Sequence, residues 1–169
     1  LDNLACCFTG HRAIRFDILP RLYTTLLEEL DALTVEGYTD FYAGGALGFD
    51  TLAAQAVLQK QKSNSQIKLH LILPCKNQHA NWHNHQQEVY QQILEQASSI
   101  KYVSETYSVE AMRQRNRLLV EKSNYCLCYL NRNRRSGTAF TVQYAKSCHV
   151  PVKNLLDNLS FPDSTFMNF

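Results

Sequence analysis

The strongest constraint on this chain is an alternation. Short apolar runs of β character are separated by longer stretches in which apolar residues recur at helical spacing. The expected strands cover 4–8, 40–43, 67–73, 100–103, 125–130 and 150–155. Several are near-continuous apolar runs, as strands covered on both faces are. Between the first two, Leu19, Leu22, Leu26, Leu30 and Leu33 step by three and four residues and make one stripe. Asp17 is the expected N-cap of that helix, and Pro20 is tolerated in its first turn. Further helices are expected over 49–61, 85–96, 109–122 with Ser108 as cap, and 138–148. Strands joined through helices run parallel, with right-handed crossovers. The fold class that follows is α/β, a three-layer Rossmann-like sandwich around a mostly parallel, doubly wound sheet.

The 169 residues fit one domain, with a core over about 4–155 and a tail over 156–169. Phe161, Phe166 and Phe169 leave the role of that tail open between packing, partner contact and disorder. A net charge of +2 gives no case for a general nucleic-acid or membrane binder. No apolar run reaches the length of a membrane span, so none is expected. The first residues lack the basic flank and apolar stretch of a secretory signal, which makes a cytoplasmic location the expectation. Of the cysteines, Cys6, Cys7, Cys126 and Cys128 lie in strand runs and read as reduced core thiols.

In such a sheet, ligands bind beyond the carboxyl ends of the strands, where the strand order switches. The loops after the strands therefore carry the functional reading. After the first comes Thr9-Gly10-His11-Arg12. Gly10 allows close backbone approach, His11 is a switchable donor or acceptor, and Arg12 is a fork for phosphate or carboxylate. After the second comes Gly44-Gly45-Ala46-Leu47-Gly48-Phe49-Asp50, leading into a helix. Backbone N–H groups at such a start favour an anion, so Gly44, Gly45 and Gly48 are phosphate-site candidates. Asp50 reads either as a dipole partner in the first turn or as an acceptor for a ribose hydroxyl. After the third strand, Trp82 could stack on a base or pack on the domain. His79, His83 and His85 do not share one helical face and lack a nearby base, so no metal site is expected. In the fourth helix, Met112, Asn116, Leu119 and Ser123 share a face, while Arg113 and Arg117 are expected to face water. Asn116 either satisfies a loop backbone or touches ligand. After the fifth strand, Ser136-Gly137-Thr138 starts a helix and offers a second anion-friendly turn. Arg132, Arg134 and Arg135 make the loop before it basic.

Taken together, Thr9-Gly10-His11-Arg12, the Gly44–Asp50 loop, Pro74 with Trp82, Arg115-Asn116 and Ser136-Gly137-Thr138 resemble the SLOG superfamily. Its members include the DNA-processing protein DprA and the LOG phosphoribohydrolases. Within it, the chain looks most like the YpsA-type branch of small bacterial proteins. The resemblance covers about residues 4–155 and implies a Rossmann-like fold with a nucleotide-derived ligand. It points to Gly44, Gly45, Gly48 and Asp50, with Gly137 and Thr138 opposite. LOG enzymes carry a Pro-Gly-Gly-x-Gly-Thr-x-x-Glu signature after a late strand. This chain has Ser136-Gly137-Thr138 there, and Thr141 stands where that glutamate is expected.

The leading expectation is therefore a non-catalytic domain that binds or senses a nucleotide, or a relative of NAD or ADP-ribose. No cofactor is required. The site would use Gly10, His11, Arg12, Gly44, Gly45, Gly48, Asp50, Arg115, Asn116, Ser136, Gly137 and Thr138. The alternatives are an N-glycosidase acting on nucleotides, with Asp50 as its acid–base group, and a DprA-like binder of single-stranded DNA. Expected partners are a small nucleotide first, then a second copy of the chain or another protein. Nucleic acid ranks lower.

Overall fold

In the computed structural model, which describes residues 3–159, the apolar runs pair into one sheet of six parallel strands. They are β1 (Leu4–Gly10), β2 (Tyr38–Ala43), β3 (Lys68–Leu73), β4 (Ser99–Tyr102), β5 (Tyr125–Tyr129) and β6 (Val152–Asn154). The spatial order is β4-β3-β2-β1-β5-β6. The chain lays strands outward from β1 to β4, then returns to the opposite side of β1 for β5 and β6. The connecting helices are α1 (Leu19–Val35), α2 (Phe49–Gln61), α3 (Asn84–Gln96), α4 (Val109–Glu121) and α5 (Gly137–Ser147).

Strand alternation explains the three layers. Along β1, Cys6 and Phe8 point to one face and Cys7 to the other. The first face buries the α1 stripe of Leu22, Leu26, Leu30 and Leu33, with Ala53 and Val57 of α2 and Tyr90 and Ile93 of α3. The second buries Leu119 and Val120 of α4 and Ala145 of α5 against Cys7, Ile72 and Cys126. Helices thus cover both faces, and the Rossmann-like, doubly wound sandwich expected from the sequence is what forms. All six cysteines are free thiols, and only Cys148 is exposed. No helix among the described residues is long and apolar enough to cross a membrane. The tail phenylalanines Phe161, Phe166 and Phe169 lie outside the described residues.

Helix starts show which local signals hold. Ser108 and Ser136 cap α4 and α5, accepting from the amides of Ala111 and Ala139 at 2.9 and 3.1 Å. The expected cap on α1 does not form. Ile18 occupies the N-cap position, and Asp17 instead pairs with Arg15 at 2.6 Å. Pro20, in the first turn, has no N–H for a cap to satisfy, which removes part of the reason for one.

A polar relay crosses β2, β3 and β4. The imidazole of His70 lies 2.6 Å from Ser99 Oγ through Nδ1 and 2.6 Å from Asp40 Oδ1 through Nε2. Thr39 donates its hydroxyl to the other Asp40 oxygen at 2.8 Å. Burial alone would raise the Asp40 pKa, but the hydrogen bonds from His70 and Thr39 outweigh it and hold it below the usual value. The folded state therefore binds this proton less tightly than the unfolded chain does. The resulting stabilisation is present at neutral pH and is lost as pH falls below about 4 and through the depressed folded value. Asp40→Asn is expected to lower stability by about 1–2 kcal/mol at pH 7, with the deficit shrinking toward pH 3. Urea titrations at several pH values check this; a deficit that stays constant would overturn it.

Candidate functional site

The strand order reverses between β1 and β5, and a cavity of about 510 Å³ opens where these two strands end. Its floor is the end of β1, Phe8, Thr9 and Gly10, continuing into His11 and Arg12. One wall is α4, through Val109, Met112, Arg113, Asn116 and Leu119, with Tyr107 just ahead of the helix. The first turn of α5, Ser136, Gly137, Thr138 and Phe140, closes the other side. Ala46 of the loop after β2 and Asp50 in the first turn of α2 reach in.

The glycine loop serves mainly as the frame behind this cavity. Gly48 has φ of 76°, and a Cβ there would sit 2.1 Å from the Arg12 carbonyl oxygen. Only glycine lets the two loops meet so closely in that conformation. The contact is locked by the Phe49 amide, which donates to the His11 carbonyl at 3.1 Å. Asp50 Oδ2 accepts from the Ala46 amide at 3.1 Å, and Thr51 donates its hydroxyl to the Ala46 carbonyl at 2.9 Å. Two loop amides are thus already bonded to protein acceptors. A Cβ on Gly44 would meet Arg115 and Asp50, and one on Gly45 would meet Leu73. Gly44, Gly45 and Gly48 are not part of the cavity lining. Through Gly48 and Phe49 this loop braces the loop that follows β1.

Arg115 is the internal strut of that frame. It is 5% exposed, donates through Nη1 to the Gly44 carbonyl, and donates through Nε to Asn116 Oδ1 at 2.8 Å. Burial pushes the Asp50 carboxyl upward, opposed by the charge of Arg115 and the Ala46 amide. Burial pulls Arg115 downward, opposed by Asp50. Arg115 from α4 and Asp50 from α2 thus both bind the loop after β2, at Gly44 and at Ala46.

Hydrogen bonding also fixes what the remaining polar groups present. The Asn131 amide donates to His11 Nε2 at 2.8 Å, so the neutral ring carries its proton on Nδ1. Burial, and then the charge of Arg134, lower the His11 pKa and keep the ring neutral. Asn116 Oδ1 is taken by Arg115, which leaves the Nδ2 donors, 4.0 Å from where a Gly137 Cβ would be. The amides of Gly137 and Thr138 occupy the first two positions of α5, where a helix supplies no acceptor. Arg12 and Arg113 add positive charge. The nitrogens that these groups leave for the cavity are therefore donors.

Nine of the residues named from sequence meet around this space: Gly10, His11, Arg12, Asp50, Arg115, Asn116, Ser136, Gly137 and Thr138. Trp82 does not join them. It packs edge-on to Tyr90, with ring centroids 5.2 Å apart, and beside His79. His83 occupies the N-cap position of α3. Tyr107, Val109, Arg113 and Phe140 line the cavity without having been singled out for it. Val109, Met112, Arg113 and Asn116 share the spacing of one helical side, a signal that was legible. Tyr107 and Phe140 become legible only once the two helix starts are known to face each other.

These features have relatives. The model of the YspA SLOG family matches residues 6–161. The chain belongs to this family. A UPF0398 protein of Halalkalibacterium halodurans is 26% identical over 121 residues, covering 70% of this chain and 64% of that protein. One from Bacillus pumilus is 26% identical over 124 residues, covering 72% of this chain and 67% of the relative. Among solved structures, DNA processing protein A from Helicobacter pylori, described for its single-stranded DNA binding mode, superposes with a TM-score of 0.65. That match covers 89% of this chain and 64% of the other at 20% identity, and it carries the fold alone. This YspA SLOG chain thus spans less than two thirds of the Halalkalibacterium relative and of the DprA chain.

Proposed function

We propose that the cavity binds a phosphorylated, nucleotide-type ligand without transforming it. The observation that carries this reading is the orientation of its polar nitrogens. His11 offers Nδ1–H, Asn116 offers Nδ2–H, and α5 offers the amides of its first two residues, with Arg12 and Arg113 supplying charge. An anion satisfies all of these at once, and a helix start favours it further. The phosphate lies on Gly137 and Thr138, while Gly44, Gly45 and Gly48 support from behind. Asp50 has an oxygen committed to Ala46, and Thr141 donates to the Gly137 carbonyl at 2.9 Å. Neither supplies a free carboxylate beside a glycosidic bond, so binding is favoured over hydrolysis.

Titration calorimetry with a panel of nucleoside phosphates tests the reading. Arg12→Ala is expected to weaken binding by about tenfold or more, as loss of a charge-assisted hydrogen bond does. Full affinity in that variant would overturn the placement.

One observation favours a second reading. The fold is shared with DNA processing protein A, which binds single-stranded DNA, and the loop carrying Arg134 and Arg135 is exposed beside the cavity. Arg132 of the same loop is bound in bidentate fashion to Asp157, at 2.7 and 2.9 Å. On this reading affinity rises with oligonucleotide length and falls steeply with salt, whereas a mononucleotide site shows neither strong trend.

A further inference from the structure

The lining of the cavity changes character along α4. At Asn116, Gly137 and Thr138 it is donor-rich, and one turn toward the N-terminus of α4 it is apolar and aromatic. Six large apolar side chains are exposed among the described residues. Phe16, Val35 and Ile100 are not in the cavity lining, but Tyr107 (49%), Val109 (58%) and Phe140 (36%) all are. An apolar cluster rimmed by polar groups marks a recognition surface.

Resting on the phosphate site proposed above, we infer that Tyr107, Val109, Met112 and Phe140 form the seat for the planar base of the ligand. Two contacts hold this seat in place. The Tyr107 hydroxyl donates to Met112 Sδ at 3.2 Å, and Arg12 Nη2 approaches the same sulfur at 3.5 Å. The Arg117 guanidinium lies 5.7 Å over the Phe140 ring and steadies it. A held aromatic ring loses little freedom when a base stacks on it. Met112 and Asn116 are four residues apart, so the apolar and donor ends are about 6 Å apart along the helix. A ribose fills that interval, with its phosphate toward α5 and its base toward Tyr107. Trp82, packed on Tyr90, plays no part in this seat.

Calorimetry on the full chain with AMP and ribose 5-phosphate separates the two ends. The parent protein is expected to bind AMP at least about fivefold more tightly than ribose 5-phosphate, the low end of what one stacked base contributes. Tyr107→Ala is expected to remove most of that preference while changing ribose 5-phosphate affinity by less than about twofold, and Tyr107→Phe is expected to keep it. Equal affinity of the parent for the two compounds would overturn the base seat and leave the phosphate site standing. A loss in Tyr107→Ala that is the same for both compounds would also overturn it. If neither compound binds, the phosphate site and the base seat fall together.

Discussion

Gly48→Ala is expected to destabilise the protein by about 3 kcal/mol or more, the combined effect of a strained backbone and a steric overlap. At φ of 76° and ψ of −119° an L side chain is unfavourable even in open space. Here the space is also filled, because the methyl would overlap the Arg12 carbonyl. Relief requires the β1 loop to move away from the start of α2, which breaks the Phe49–His11 hydrogen bond and displaces Arg12. Urea unfolding measures the first effect. Gly137→Ala is the control, since among the described residues a methyl there would meet only Asn116 Nδ2, at 4.0 Å. Equal stability losses in the two variants would show that the loop contact does not bear on stability.

Arg115→Leu is the second large effect, expected at about 3–5 kcal/mol, because it leaves the buried Asp50 without its opposing charge. The Gly44 carbonyl and Asn116 Oδ1 lose their donor as well. Without Arg115 the Asp50 pKa rises further, since burial is then less opposed. A carboxyl with a raised folded pKa binds its proton more tightly in the folded state than in the unfolded one. Stability then falls as pH rises from the ordinary carboxylate range through the raised value. The deficit of Arg115→Leu is therefore expected to be smaller at pH 5 than at pH 8. It is also expected to be smaller in an Asp50→Asn background, with a coupling above about 1 kcal/mol. Additive effects at every pH would mean that the two groups act independently.

The contrast between these two sites explains what could be read from sequence. Strand and helix positions were legible because apolar period is a local property. The α1 stripe, the α2 limits at Phe49 and Gln61, and the serine caps all rest on residues close in the chain. The residues around the cavity were legible for a related reason, since strand ends and helix starts gather at one edge of a parallel sheet. The sense of each interaction was not legible. Whether the amides of Ala46 and Phe49 face a ligand or the protein depends on Asp50 and on His11, the latter 38 positions from Phe49. Arg115 has the same charge whether it meets a phosphate or the Gly44 carbonyl, and only the fold decides between them. Trp82 was a candidate by its residue type and its place after the third strand. Its place against Tyr90 follows from the turn between β3 and α3, which carries no periodic signal.

The central position of β1 sets an order of assembly. It pairs with β2 after one helical crossover, but its other neighbour, β5, begins at Tyr125. The bonds that join these distant parts, from Ala5 to Asn124 and from Asn131 to His11, span 119 and 120 residues. On a ribosome, β1 to β4 and their helices can pack while the partner for the far side of β1 is still unmade. The cavity, which takes one wall from each part, is completed only when β5 and α5 arrive. A ligand held there engages the finished chain alone, and by mass action it withdraws molecules from the incompletely folded pool in proportion to its concentration.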